Sequence, residues 1–156
     1  MRTIALSLLL ALGVVPLAQA QSSKPLFIAA DMVRGPGGSG PICVLSNRFM
    51  RNEIVAWRIR VQDATGKQLD DKGLRRLVVE LSDGQKFSAH FGGHPPSAPT
   101  DHLWSTAWSI PADYPTGSFN YKVIATALDG TTQTWEPVNV KPSLLTVIPG
   151  TFKPTK

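Results

Sequence analysis

Residues 53–63, EIVAWRIRVQD, alternate apolar and polar side chains with a period of two. Val55, Trp57, Ile59 and Val61 fall on one face of this segment, and polar residues or alanine fall on the other. A period of two is that of a β-strand with one buried face, and it argues against an amphipathic α-helix, whose apolar side chains recur every three or four residues. We therefore predict a strand in this segment, with Trp57 as a core aromatic residue.

Turn-forming residues divide the rest of the chain into short segments of the same kind. Asp83-Gly84 and Asp129-Gly130 each separate two β-prone runs, which indicates hairpins with type I′ turns. The segment RGPGGSGP, residues 34–41, ends the first apolar run, because a helix or strand does not accommodate its glycines and prolines. We count about seven to nine strands at intervals of about ten residues, which predicts an all-β, immunoglobulin-like antiparallel β-sandwich. In such a fold, the Tyr121 hydroxyl can bond to the backbone near Gly117.

Two segments, FMRNEIVAWRIRVQDATGK and IPADYPTGSFNYKVIATALDG, resemble bacterial immunoglobulin-like domains of the fibronectin III, macroglobulin-domain and related early-set types. Those domains often begin a strand after a Gly-Glu turn and enter a later strand through Pro-x-Gly-x-φ-x-Tyr-x-Val. Asn52-Glu53 stands where they have Gly-Glu, a departure that affects only the turn. The resemblance implies a sandwich with an accessory or binding role, and it assigns no catalytic residue.

The first 20 residues have the features of a secretory signal peptide. Arg2 gives a positive start, an apolar run follows, and Ala18 and Ala20 occupy the −3 and −1 positions before Gln21. The run is too short for a transmembrane anchor, so we expect cleavage and a periplasmic or secreted protein without stable membrane insertion. The remaining 136 residues (156 − 20) fit one domain at 21–149, followed by a flexible tail at 150–156.

The charge and the cysteine content narrow the classes of partner. Loss of Arg2 lowers the formal charge from +5 to +4, and the basic residues are scattered rather than gathered in a stripe with aromatic residues. We therefore expect no nucleic-acid partner. Cys43 is the single cysteine, which excludes an intrachain disulfide. Three alternatives remain for its thiol: it is buried as a small apolar group, it links two chains in a homodimer, or it binds another group.

All three histidines, His90, His94 and His102, lie within SAHFGGHPPSAPTDHLW, residues 88–104. Imidazoles combined with the sulfur atoms of Cys43 and Met50, or of Met32, are a donor set that suits copper. The spacing differs from that of copper electron-transfer domains, and each histidine also has an ordinary structural interpretation. His90 points outward from its strand, His94 braces a proline turn, and His102 lies at the lip of the core. Copper binding is therefore our alternative hypothesis, and we expect no other cofactor.

Residues 88–104 contain no arrangement of side chains that is typical of a catalytic site. Asp101 and His102 are adjacent on a predicted strand, so their side chains point to opposite faces, and we expect no enzymatic activity. The leading hypothesis is a binding module that engages another exported protein or a ligand through a stiff loop at 92–104 and neighbouring aromatic residues. The expected contact residues are His94, His102, Trp104 and Trp135.

Overall fold

The computed structural model describes residues 24–153, so the predicted signal peptide lies outside the described part. These residues form no α-helix, and no helix among them is long and apolar enough to cross a membrane. The all-β prediction is confirmed, but the strands number eleven rather than seven to nine. They are β1 (Phe27–Arg34), β2 (Arg48–Arg51), β3 (Ile54–Gln62), β4 (Leu74–Leu81), β5 (Lys86–Ser88), β6 (His90–His94), β7 (Asp101–Ser109), β8 (Gly117–Phe119), β9 (Tyr121–Ala127), β10 (Thr132–Trp135) and β11 (Leu145–Thr151), with a 3₁₀ turn at Lys141–Ser143 before the last.

The strands form three sheets. Two are antiparallel and four-stranded, with the orders β1-β3-β7-β6 and β10-β9-β4-β5. The third has the order β2-β11-β8, and its β2–β11 pair is parallel. The sequence prediction missed this sheet because two of its strands have only three or four residues, too few to show a period. It also missed that β11 reaches Thr151, inside the predicted tail 150–156, where the backbone pairs with β2.

The alternation in β3 has the predicted effect. Val55, Trp57, Ile59 and Val61 are all essentially inaccessible to solvent. The core that they enter is shared between the two four-stranded sheets, because the Trp57 ring lies 5.6 Å from Phe87 on β5 and 6.0 Å from Tyr121 on β9. Burial of this apolar surface is the main source of the fold's stability.

The predicted bond from the Tyr121 hydroxyl to the backbone near Gly117 is not formed among the described residues. Tyr121 instead extends into the core beside Trp57 and Trp135. The hydroxyl that closes a turn belongs to Tyr114, which donates to Asp83 Oδ2 at 2.6 Å.

Both predicted hairpins are present, but their turns are not of type I′. Gly84 and Gly130 have positive φ, of 91° and 90°, while Asp83 and Asp129 do not. Type I′ requires positive φ at both central residues. Each glycine N–H instead bonds to the carbonyl three residues earlier, as in a type I turn closed by a left-handed glycine. The aspartates contribute by accepting from the backbone N–H two residues ahead, which stabilises the turn locally.

Glu53 is the one buried charged residue in the described chain, with 2% of its surface exposed. Its carboxylate accepts hydrogen bonds from Ser39 N (2.8 Å), from Met50 N (2.6 Å) and from the Ser39 hydroxyl. Arg34 Nη1 lies 3.3 Å from it. Asn52, just before it, has a φ of 66°, which asparagine tolerates better than most residues. Glu53 therefore attaches the glycine-rich segment, residues 35–47, to the turn between β2 and β3.

These contacts also set the ionisation of Glu53. Burial alone raises the pKa of a carboxyl group, but the hydrogen bonds from Ser39 and Met50 and the Arg34 guanidinium outweigh it and hold the pKa of Glu53 below its ordinary value. The carboxylate is therefore ionised in the folded chain at neutral pH.

Glu53→Gln keeps the size of the side chain and removes its charge. We expect the free energy of unfolding at pH 7 to fall by about 3 kcal/mol, because the half-buried Arg34 guanidinium and several donors lose a buried anionic acceptor. Urea unfolding followed by tryptophan emission measures the change. The exposed Glu136 provides a matched control, since Glu136→Gln should alter stability by less than about 0.5 kcal/mol.

The same pair of variants tests the pH dependence. A pKa lowered by folding gives stability that is fully present above the unfolded pKa, about 4.3 for glutamate, and that is lost as the pH falls through the folded pKa. The wild type should therefore lose stability between about pH 5 and pH 3 more steeply than Glu53→Gln. Identical pH profiles for the two proteins would show that Glu53 does not carry the ionic contact described above.

Candidate functional site

The predicted binding loop at 92–104 is largely a β-hairpin. His94 pairs with Asp101 and Gly93 with His102, so the loop proper comprises only residues 95–100, all of them exposed. The sequence interpretation treated residues 92–104 as one stiff, proline-rich loop, whereas Gly92, Gly93 and His94 pair with β7 in the ordinary way. The hairpin tip is therefore smaller than we expected.

Trp104, one of the expected contact residues, lies in the core. It is 5% exposed, and its indole Nε1 donates to the Leu69 carbonyl at 2.9 Å. Its ring also meets Phe91 edge-on at 5.7 Å. With both its apolar surface and its N–H used inside the fold, Trp104 offers no surface to a partner in this conformation.

The five donors of the alternative copper hypothesis do not converge. His90 is exposed opposite Ser105, and the exposed ring of His102 lies 6.2 Å from Phe91. Met50 belongs to the third sheet and lies against Gly150, while Met32 is buried in the core. Within residues 24–153, no three His, Cys, Asp or Glu side chains gather where they could hold one metal ion. The predicted cluster is therefore not assembled.

One pair from that set does meet: Cys43 Sγ lies 3.5 Å from His94 Nε2. Cys43 belongs to the glycine-rich segment beyond β1, where its N–H donates to the Arg34 carbonyl at 2.9 Å. His94 ends β6, and β1 and β6 are the opposite edges of one sheet. Cys43 is exposed and forms no disulfide.

A groove of about 450 Å³ lies between β1 and β10, the end strands of the two four-stranded sheets. Its deepest lining residues are Met32 and Tyr121, which are buried, and Trp135 forms part of its wall. Two rim residues are unusually exposed for aliphatic side chains, Leu45 at 65% and Val138 at 73%. Trp135 is thus the expected contact residue that the structure places beside an open concave surface.

The groove carries little free charge. Asp31 is its one charged lining residue, and both of its carboxylate oxygens accept bonds from Arg58, at 2.8 and 2.7 Å. Burial, with a smaller contribution from the Asp31 carboxylate, raises the pKa of Tyr121 to about 12, so this hydroxyl stays protonated at neutral pH. Ser46, Asn47 and Ser143 also line the groove, so its surface is apolar and uncharged polar in comparable parts. It offers no free counter-charge, which disfavours burial of a charged ligand.

The sequence pattern did not predict this groove. The opposite parity of Trp135 to Val138 and Val140 predicts a surface position for Trp135, but its premise is wrong, because the two valines are exposed and Trp135 is half-buried against the core. Leu45 and Val138 were missed because the groove forms where the edges of two sheets meet, and no local pattern encodes that meeting.

Comparison of the chain with protein-family models, with curated proteins and with solved structures finds no match. The likeness to immunoglobulin-like domains therefore rests on the two sequence segments alone. The groove and the Cys43–His94 pair are the features of the described residues that bear on function.

Gly93 and Gly92 form a matched pair for testing the hairpin tip. A Cβ added to Gly93 would lie 2.5 Å from Pro99, whereas one added to Gly92 would meet nothing within 4 Å. We expect Gly93→Ala to lower the free energy of unfolding by about 1–3 kcal/mol through overpacking. Gly92→Ala should change it by less than about 0.5 kcal/mol. Urea unfolding measures both, and equal effects would contradict the described packing of the loop 95–100 on β6.

Proposed function

We propose that this protein is a non-catalytic, exported binding module that holds an extended apolar segment of another exported protein in the groove between β1 and β10. The observation that carries the proposal is the groove itself, with Trp135 in its wall and exposed aliphatic side chains at its rim. Aromatic side chains in concave surfaces are frequent anchors of protein recognition, because they bury much area at little cost in entropy.

The shape of the groove favours an extended segment. β10 is the last strand of its sheet, so among residues 24–153 its outer edge has no strand partner. A peptide can add to such an edge through backbone hydrogen bonds, while alternate side chains enter neighbouring pockets. Here the pocket side chains would pack against Trp135 and Val138, and the lack of free charge selects apolar residues.

The proposal retains two expectations from the sequence. Export to the periplasm or the exterior follows from the signal-peptide features of residues 1–20. An immunoglobulin-like sandwich is supported by the core shared between two antiparallel sheets and by the resemblance of the two segments. The proposed surface differs from the one first expected, because Trp104 is buried and the hairpin tip, residues 95–100, has no aromatic or long aliphatic side chain.

A library of displayed linear peptides tests the groove directly. We expect the selected peptides to alternate apolar with other residues and to perturb the NMR signals of Trp135 and its neighbours. Val138→Asp should weaken binding of a synthetic selected peptide roughly tenfold, because a carboxylate is desolvated against an apolar ligand.

Leu128→Asp is the matched control, since Leu128 is a similarly exposed aliphatic residue, at 56%, that does not line the groove. It should leave the affinity within about twofold of the wild type. Equal losses in the two variants would contradict the proposal. Changes in NMR signals confined to residues 90–104 would instead show that the peptide binds at the hairpin tip.

Export makes a separate prediction. When the full chain is expressed in a bacterium, we expect the protein in the periplasmic or culture fraction to begin at Gln21, because signal peptidase cleaves after small residues at −3 and −1. Intact-mass spectrometry of the fractions measures this. Replacing Ala20 with a bulky residue should cause the precursor to accumulate. An uncleaved wild-type chain in the cytoplasm would contradict export.

A further inference from the structure

We propose that the Tyr121 hydroxyl selects the segment that the groove binds, through a hydrogen bond to an uncharged polar side chain placed between two apolar ones. Side chains of this kind are those of serine, threonine, asparagine and glutamine. The inference rests on the proposed function, because it names the chemistry of the segment held between β1 and β10. The observation that carries it is a hydroxyl without a partner at the end of a buried side chain.

Tyr121 is buried, with 4% of its surface exposed, yet its hydroxyl forms no hydrogen bond with any residue from 24 to 153. The other tyrosine of the chain differs, since the Tyr114 hydroxyl donates to Asp83 Oδ2 at 2.6 Å. Among the described side chains, the indole N–H of Trp57 is the one polar group that lacks a partner and is wholly out of contact with solvent. The small accessible part of Tyr121 therefore includes its hydroxyl.

The accessible part of Tyr121 lies in the groove. Tyr121 lines the groove but its neighbours Asn120 and Lys122 do not, so it is the side chain that reaches this surface. A smaller hollow nearby is lined by all three residues, as expected where backbone forms the surface. The pairing of β9 with β10 ends at Val123, opposite Trp135, so no residue of β10 pairs with Tyr121 or covers it.

The charges near the hydroxyl disfavour a charged ligand group. Burial, and to a smaller extent the Asp31 carboxylate, raise the pKa of Tyr121 to about 12, so the hydroxyl is protonated at neutral pH and can donate. The negative charge of Asp31 thus acts on the hydroxyl, and it would repel a carboxylate bound there. A cation would gain little, because both Asp31 oxygens already accept from Arg58. An uncharged acceptor is the group that fits.

Binding of a segment would remove water from the Tyr121 hydroxyl. An apolar side chain over it would leave a buried donor without a partner, which is costly. A hydroxyl or an amide carbonyl replaces the water, so a segment that carries one is favoured over its apolar counterpart. Because alternate side chains of an extended segment face the same way, the residues two positions before and after it meet the apolar wall formed by Trp135 and Val138.

The test is a parallel selection of displayed linear peptides on the wild type and on Tyr121→Phe, which removes only the hydroxyl. On the wild type, we expect serine, threonine, asparagine or glutamine to be enriched at one position, with apolar residues two positions away on each side. On Tyr121→Phe, we expect an apolar residue at that position as well. The NMR signals of Trp135 show whether a selected peptide lies in the groove.

Calorimetry with two synthetic peptides then measures the bond itself. One is a selected peptide with threonine at the enriched position, and the other has valine there, which has the same shape. Tyr121→Phe should lower the affinity for the threonine peptide about tenfold, and valine should lower the affinity for the wild type by a similar factor. The two changes together should cause no further loss, because both remove the same hydrogen bond.

Tyr114→Phe is the matched control, because the Tyr114 hydroxyl is bonded to Asp83 and Tyr114 does not line the groove. It should leave the affinity for the threonine peptide within about twofold of the wild type. Circular dichroism and thermal unfolding check the fold of each variant. Tyr121→Phe should keep the wild-type unfolding temperature, since its hydroxyl forms no bond in the free protein.

The failure of this inference differs from that of the proposed function. Equal affinity of the wild type and Tyr121→Phe for the threonine peptide, with the Trp135 signals still perturbed, would leave the groove as the binding site and overturn the role of the hydroxyl. Equal losses from valine in the two proteins would do the same, because the polar side chain would then bond elsewhere. If no selected peptide perturbed the Trp135 signals, the proposed function would fall, and this inference with it.

Discussion

The buried carboxylate of Glu53 is the interaction on which the irregular half of this structure depends. A segment with four glycines between residues 34 and 41 has little tendency of its own to adopt one conformation. Glu53 supplies the constraint, because it binds Ser39 in that segment, Met50 at the end of β2 and Arg34 at the end of β1. Since Cys43 follows in the same segment, the geometry of the Cys43–His94 pair depends on this anchor.

The local patterns of the sequence predicted the regular part of the fold well. The period of two in residues 54–62 identified β3 and its buried face, and two Asp-Gly pairs identified hairpins. These succeed because strand alternation and turn chemistry act over a few residues. The predicted turn type, I′, was wrong, because an Asp-Gly dipeptide also suits a type I turn in which only the glycine is left-handed.

Features that join distant parts of the chain were not predictable in the same way. Cys43 and His94 are 51 residues apart, and neither the sequence around one nor that around the other indicates the contact. The sequence does not show whether Trp104 or Trp135 is buried. In the structure, Trp104 donates its indole N–H to the Leu69 carbonyl, whereas Trp135 lines the groove. Glu53 appeared only as a turn residue, because its partner Ser39 lies on another segment. In each case the missing information is which distant segments of the chain meet.

The parallel pairing of β11 with β2 has a consequence for the order in which the chain folds. β2 is near the start of the described chain and β11 near its end, so the third sheet cannot close before residues 145–151 are available. Pairings between such distant segments form slowly, because much of the chain has to be ordered first. A chain with this topology stays incompletely folded for as long as its C-terminal strand is withheld. That property would suit the export proposed above, in which the chain passes through a translocation channel before it folds.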